Sequence, residues 1–282
     1  MPIRVYGNTI HTDIIEPLKK QAIIMNNEMI KYGVLKDNKY ITFWLGKEDE
    51  PKSLIEYIAR NISFQDFPNG FPDNYIGLEW WVQVRNTKEG ITFHYDKDEG
   101  TCSQKGIYIY PLKSTITYLT DIGGPTSIFN DKSYNNGYLS FPKVNKHVVF
   151  DGHLFHGVIG PLGKINPNDD QKRITFLINY WHQKPIEPNC IYFPYDKIKL
   201  SPVTDEQKEL QSSIQKEKSK IIKMNYQSGV NNIFIERQQK NNQGKFYQKK
   251  IPLKIAKNLK EKTTYSFRFN NEVVVYNTNH TY

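Results

Sequence analysis

Between Gly77 and His182, apolar and polar residues alternate in short runs, with turn residues between them. Such alternation marks half-buried β-strands, whose side chains point to opposite faces in turn. It predicts eight strands: Gly77–Asn86, Ile91–Asp96, Ser114–Asp121, Thr126–Asn130, Tyr138–Phe141, His147–Phe150, Leu154–Ile159 and Arg173–His182. Gly123-Gly124-Pro125, Asn136-Gly137 and Asp151-Gly152 break the runs, and Asn-Gly and Asp-Gly suit tight turns. Eight short strands with no helical period between them predict a mostly β fold, a sandwich or barrel of the jelly-roll kind.

Outside this block the period changes. Glu16 to Tyr32 reads as a helix, with Pro17 in its first turn, Leu18, Ala22, Met25 and Met29 on one face, and Gly33 as its C-cap. Tyr40–Leu45 reads as a strand. A second helix follows Pro51, with Leu54, Ile55, Ile58 and Ile62 on one stripe, and Phe64–Asn74 reads as loop. Beyond Ser201, Thr204-x-x-Gln207 predicts the cap of a Lys-rich helix running to about Lys223. Asn231–Arg237, Thr264–Phe269 and Glu272–Tyr276 read as strands, with Asn270-Asn271 as a turn. The expected organisation is one domain over 1–200 with its core at 77–182. A C-terminal extension, 201–282, is expected to pack on that same domain.

Charge sharpens this division. The 282 residues carry a formal net charge of +9. Residues 201–282 hold 15 Lys and Arg against 7 Asp and Glu, a net of +8, while the first 200 hold 23 against 22. A basic region can attract nucleic acid or an acidic partner, but no stacking motif accompanies it, and a solvated Lys-rich surface explains it as well. No apolar run approaches the roughly 20 residues that span a bilayer. The first residues lack the apolar core of a secretory signal, so a cytoplasmic protein without membrane partners is expected. Cys102 and Cys190 form no Cys-x-x-Cys pair, which argues against a thiolate zinc site.

Candidate chemistry lies on the second strand. In ITFHYD, His94 and Asp96 are two residues apart, so strand parity puts an imidazole and a carboxylate on one face. Together they form two thirds of a two-His, one-carboxylate metal site. Two histidines compete to be the third ligand. His156 lies within a strand, which aims a side chain more rigidly, and His153 lies at the preceding turn. On the last strand, Arg173 shares a face with Thr175, Leu177 and Asn179, and a half-buried guanidinium there needs a carboxylate. Trp81, Gln83 and Arg85 share one face of the first strand and are candidates to line a substrate pocket. Asp98 and Glu99 read as polar loop.

This ordered set resembles the iron(II)/2-oxoglutarate-dependent oxygenases of the prolyl-hydroxylase-like kind, over about residues 77–182. The resemblance implies a double-stranded β-helix core. It implies iron(II) on His94, Asp96 and His156, with Arg173 and Tyr118 gripping the far carboxylate of 2-oxoglutarate. The implied activity is a dioxygenase that uses O2 to hydroxylate a protein side chain or small molecule, releasing succinate and CO2. The interval from His156 to Arg173 is longer than in many prolyl hydroxylases. Two other classes stay open. One is a cupin-like metal-binding barrel that does not use 2-oxoglutarate. The other is a non-catalytic protein that binds through its basic C-terminal region.

Overall fold

The structure, a computed structural model, describes residues 3–31, 41–130, 136–163, 171–186, 190–223, 230–240, 246–256, 259–260, 262–268 and 276–278. Its first elements are β1 (Ile3–Gly7), α1 (Thr12–Lys31), β2 (Thr42–Gly46) and α2 (Leu54–Asp66). The predicted block becomes β3 (Gly77–Asn86), β4 (Ile91–His94), α3 (Glu99–Lys105), β5 (Lys113–Tyr118), β6 (Thr126–Phe129), β7 (Asn136–Ser140), β8 (His147–Asp151), β9 (Phe155–Val158) and β10 (Lys172–Trp181). Then follow β11 (Cys190–Tyr192), α4 (Asp205–Ser212), β12 (Glu217–Lys218), β13 (Ile221–Lys223), β14 (Val230–Lys240), β15 (Phe246–Ala256), β16 (Thr264–Arg268) and β17 (Tyr276–Thr278).

One sheet has the order β11-β2-β3-β10-β5-β8-β1-β12 and the other β13-β16-β7-β6-β9-β4. Within them, the eight predicted strands split as β3-β10-β5-β8 and β7-β6-β9-β4, changing sheet at every step except the hairpin from β6 to β7. The chain thus winds back and forth between two facing sheets as a double-stranded β-helix, the architecture expected from the alternation. A third sheet, β14-β15-β17, stands apart, with β14 running beside β4.

Each face of the larger sheet has its own partner. Trp80, Ile174, Phe176, Ile178 and Tyr180 point outward and pack under α1 and α2 against Leu18, Met25, Leu54, Ile58 and Ile62. Ser53 caps α2 through its side chain, which accepts from the Glu56 amide. The inner face carries Ile116, Tyr118, Phe150 and Leu177, which meet Ile128 and Tyr138 of the smaller sheet.

Several boundaries differ from the sequence reading. The first helix starts a turn early, at Thr12, because Ile14 and Ile15 are buried too, and this puts Pro17 inside the helix. Asp98 and Glu99 do not form a loop. Asp98 is a buried N-cap accepting from the Thr101 amide (2.9 Å) and hydroxyl (2.7 Å), and Gly106 ends α3 at φ 68°. The Thr204–Gln207 capping box forms, but its helix ends at Ser212. Its apolar stripe is too thin to hold a longer helix, and β12 and β13 follow, pairing with β1 and β16. Gly33, the Asn270-Asn271 turn and most of Glu272–Tyr276 lie outside the described residues.

Candidate metal centre

His94 ends β4 and His156 is the second residue of β9, and the antiparallel register sets them directly opposite each other. Opposed residues share a face. That face looks into the barrel, since Ile128, opposite His156 on β6, belongs to the interior cluster. Asp96 arrives differently from the sequence expectation. The register shifts between Ile91 and His94 and the strand ends there, so Asp96 reaches the site from the connection to α3. Its Oδ1 lies 3.5 Å from His94 Nε2 and 3.6 Å from His156 Nε2. One ligand atom from each residue falls within 4.8 Å of the other two, a spacing that one metal ion can bridge. Among the described residues no other His, Cys, Asp or Glu triple does so.

The rings are already oriented for ligation. His94 Nδ1 lies 2.7 Å from the Thr92 carbonyl and His156 Nδ1 lies 3.0 Å from the Leu154 carbonyl. A carbonyl can only accept, so each Nδ1 carries a proton, and each Nε2, facing Asp96, is the nitrogen that would bind a metal on losing its own proton. Phe150 packs edge-on to His156 at 4.9 Å. Burial opposes charge on Asp96, but the adjacent His156 and His94 outweigh it and hold the carboxyl well below the usual range. Burial lowers His156. Desolvation acts the same way on His94, but the hydrogen bond and charge of Asp96 override it and raise that ring. The His94 side chain is 42% exposed and that of His156 only 7%, so the centre opens on the His94 side.

Arg173 is 2% exposed at the start of β10. Its Nε donates to the Gly124 carbonyl (3.3 Å) and its Nη2 to Thr126 Oγ1 (3.2 Å). Its guanidinium carbon stands 5.5 Å from the centre of the Tyr118 ring. The Tyr118 hydroxyl lies 2.9 Å from both Thr126 Oγ1 and the Ser140 carbonyl. Gly123, at φ 93°, leaves room for the arginine, whose Cδ would sit 2.7 Å from any Cβ there. Among the described residues no carboxylate pairs with Arg173. Asp169 and Asp170, the acids just before β10, lie outside them.

The remaining candidates separate. Trp81, Gln83 and Arg85 stand opposite Leu177, Thr175 and Arg173, on the inner face of β3. Trp81 joins the interior cluster. Gln83 Oε1 and Thr175 Oγ1 are buried without hydrogen-bond partners among the described residues. Arg85 reaches the rim, with its Nη1 3.7 Å from Glu89. His153 is exposed in a turn facing Tyr110 (6.5 Å between rings) and is not part of the His94-Asp96-His156 cluster.

Sequence reading missed Glu79. It is 8% exposed, accepts from Asn179 (3.3 Å), Trp181 (2.9 Å) and Thr42, and has Asp96 as an electrostatic neighbour. Burial is the main cause that pushes its carboxyl up to about 7. It shares parity with Trp81, Gln83 and Arg85, and that was the available signal.

No family model matches the chain, and no curated protein does. Among solved structures it is similar to a Pseudomonas putida prolyl-4-hydroxylase, at 12% identity and a TM-score of 0.45, over 64% of this chain and 93% of that one. It is similar to EctD from S. alaskensis in its apoform, at 14% identity and a TM-score of 0.37, over 72% and 81%. It is also similar to HygX from Streptomyces hygroscopicus with nickel and 2-oxoglutarate bound, at 10% identity and a TM-score of 0.34, over 64% and 81%.

Proposed function

We propose that the protein is an iron(II)- and 2-oxoglutarate-dependent dioxygenase that hydroxylates a protein side chain or a small molecule. The observation that carries this reading is the pairing of two features in one barrel. One is a His-Asp-His cluster with both Nε2 atoms turned toward Asp96, and the other is a buried arginine without a carboxylate partner among the described residues. The donor set suits iron(II), and three ligands on one side leave positions for a cosubstrate and O2. His94, Asp96 and His156 would hold the metal. Arg173 would take the far carboxylate of 2-oxoglutarate through charge-assisted hydrogen bonds, with Tyr118 beside it.

Bound iron and 2-oxoglutarate supply the oxidising power that turns a C–H into a C–OH, with succinate and CO2 as co-products. The chain does the rest. The carbonyls of Thr92 and Leu154 hold both imidazoles in the ligating tautomer. The low proton affinity of Asp96 keeps it anionic at neutral pH. Trp81 and Gln83 wall the interior, and the exposed side of His94 admits the substrate.

The test is direct. Protein loaded anaerobically with iron(II) and given 2-oxoglutarate is expected to show the weak visible charge-transfer band of the chelate. Admitting O2 should then yield succinate. A protein giving neither band nor succinate is not this enzyme.

A further inference from the structure

Lys146 has no part in the chemistry so far described. It lies just before β8 and is 3% exposed. Its Nζ donates to the Lys262 carbonyl (3.2 Å) and to Thr264 Oγ1 (3.4 Å). Among the described residues no carboxylate comes within ion-pair distance of it, and burial pushes its ammonium down to about 7. A buried cation with two neutral acceptors is costly, and its placement needs a reason.

That placement is beside Tyr118. Lys146 Nζ is 5.6 Å from the centre of the Tyr118 ring, and the Arg173 guanidinium is 5.5 Å from the same ring. The backbone binds Lys146 to the same residue: the Tyr118 amide donates to the Lys146 carbonyl (3.0 Å), and the Asn145 amide to the Tyr118 carbonyl (2.9 Å). On the other side, Thr264 Oγ1 lies 3.2 Å from Ser140 Oγ, and the Ser140 carbonyl accepts from Tyr118. Thr264 opens β16, which pairs with β7 along Asn136–Ser140. A closed loop of contacts therefore runs from β16 through Lys146 and Ser140 to Tyr118.

We infer that Lys146 is a positioning residue for the cosubstrate end of the barrel, and that the C-terminal strand β16 takes part in that pocket through it. In its protonated form, which a bound anion favours, Lys146 fixes the Tyr118 ring by a cation–π contact and adds a second positive charge where an anion is received. The extension beyond residue 200 thus helps shape the cosubstrate site. The inference rests on the proposed use of Arg173 and Tyr118 for 2-oxoglutarate.

The test uses the full chain in the anaerobic iron(II) titration, which reads binding and not turnover. Lys146→Met is expected to raise the 2-oxoglutarate concentration at half-saturation about tenfold, with the band at saturation and the iron stoichiometry unchanged. Lys146→Arg should restore binding to within about threefold of the unmodified chain, a rescue that a purely space-filling role would not give. Should Lys146→Met not fold, Thr264→Val removes the acceptor on β16 and is expected to weaken 2-oxoglutarate in the same direction. If the unmodified chain gives a band and the variants titrate identically, this inference alone is wrong. If the unmodified chain gives no band, the oxygenase reading fails and takes the inference with it.

Discussion

His153 and His156 lie three residues apart, yet only one of them faces into the barrel. His156 is opposite His94, with its Nδ1 tied to the Leu154 carbonyl, and His153 is out in the turn. Replacing His156 by Ala should abolish stoichiometric iron(II) binding in equilibrium dialysis, whereas His153→Ala should leave it within error of the unmodified chain. A His153→Ala protein that loses iron would show that the turn supplies the third ligand. At this scale the residue types of the cluster and the rigidity of a strand position were legible. It could not show what holds the rings, because the acceptors are main-chain oxygens. Nor did it draw attention to Glu79, whose buried setting depends on Thr42 and Trp181, residues far away along the chain.

The two strands that carry His94 and His156, β4 and β9, meet over a glycine. A Cβ at Gly157 would lie 2.7 Å from both the Ile91 carbonyl and the Phe93 ring. Neither can yield cheaply, since one is backbone and the other is packed against Phe129 and Phe155 at 5.6 Å. Gly157→Ala should therefore prise β4 from β9 and cost about 1–3 kcal/mol. Urea unfolding with and without a divalent metal checks the link to the site. The unmodified chain should gain stability from the metal and the variant should not. Most strands were legible because short apolar-rich runs, buried on both faces, are bounded by turn residues. β1 was not, since its partners are β8 and β12, more than a hundred residues away. α3 is about two turns long, visible only through its caps, Asp98 and Gly106.

Across the whole molecule, one buried carboxylate joins segments distant in sequence. Asp66, at the end of α2, accepts from Tyr180 (2.7 Å), meets His147 Nε2 at 3.0 Å, and pairs with Lys216. Its carbonyl accepts from Arg4 (3.2 Å). Burial would raise Asp66, but His147 and Lys216 outweigh it and bring it down to about 2 from an ordinary 3.8. A depressed carboxyl stabilises the fold above its unfolded value, and that contribution drains away as pH falls from about 4 toward 2. Asp66→Asn should cost about 3 kcal/mol near neutrality by stranding Lys216. The gap from the unmodified chain should narrow across that acid range in thermal melts. A gap independent of pH would remove Asp66 from the account. The centre itself is fastened in another way. Both imidazoles are steered by carbonyl groups two residues upstream, Thr92 on β4 and Leu154 just before β9, and every residue carries a carbonyl. Side chains around the cluster can therefore drift over generations without turning either ring, so an oxygenase of the kind proposed would be able to change what it oxidises while keeping the means of oxidising it.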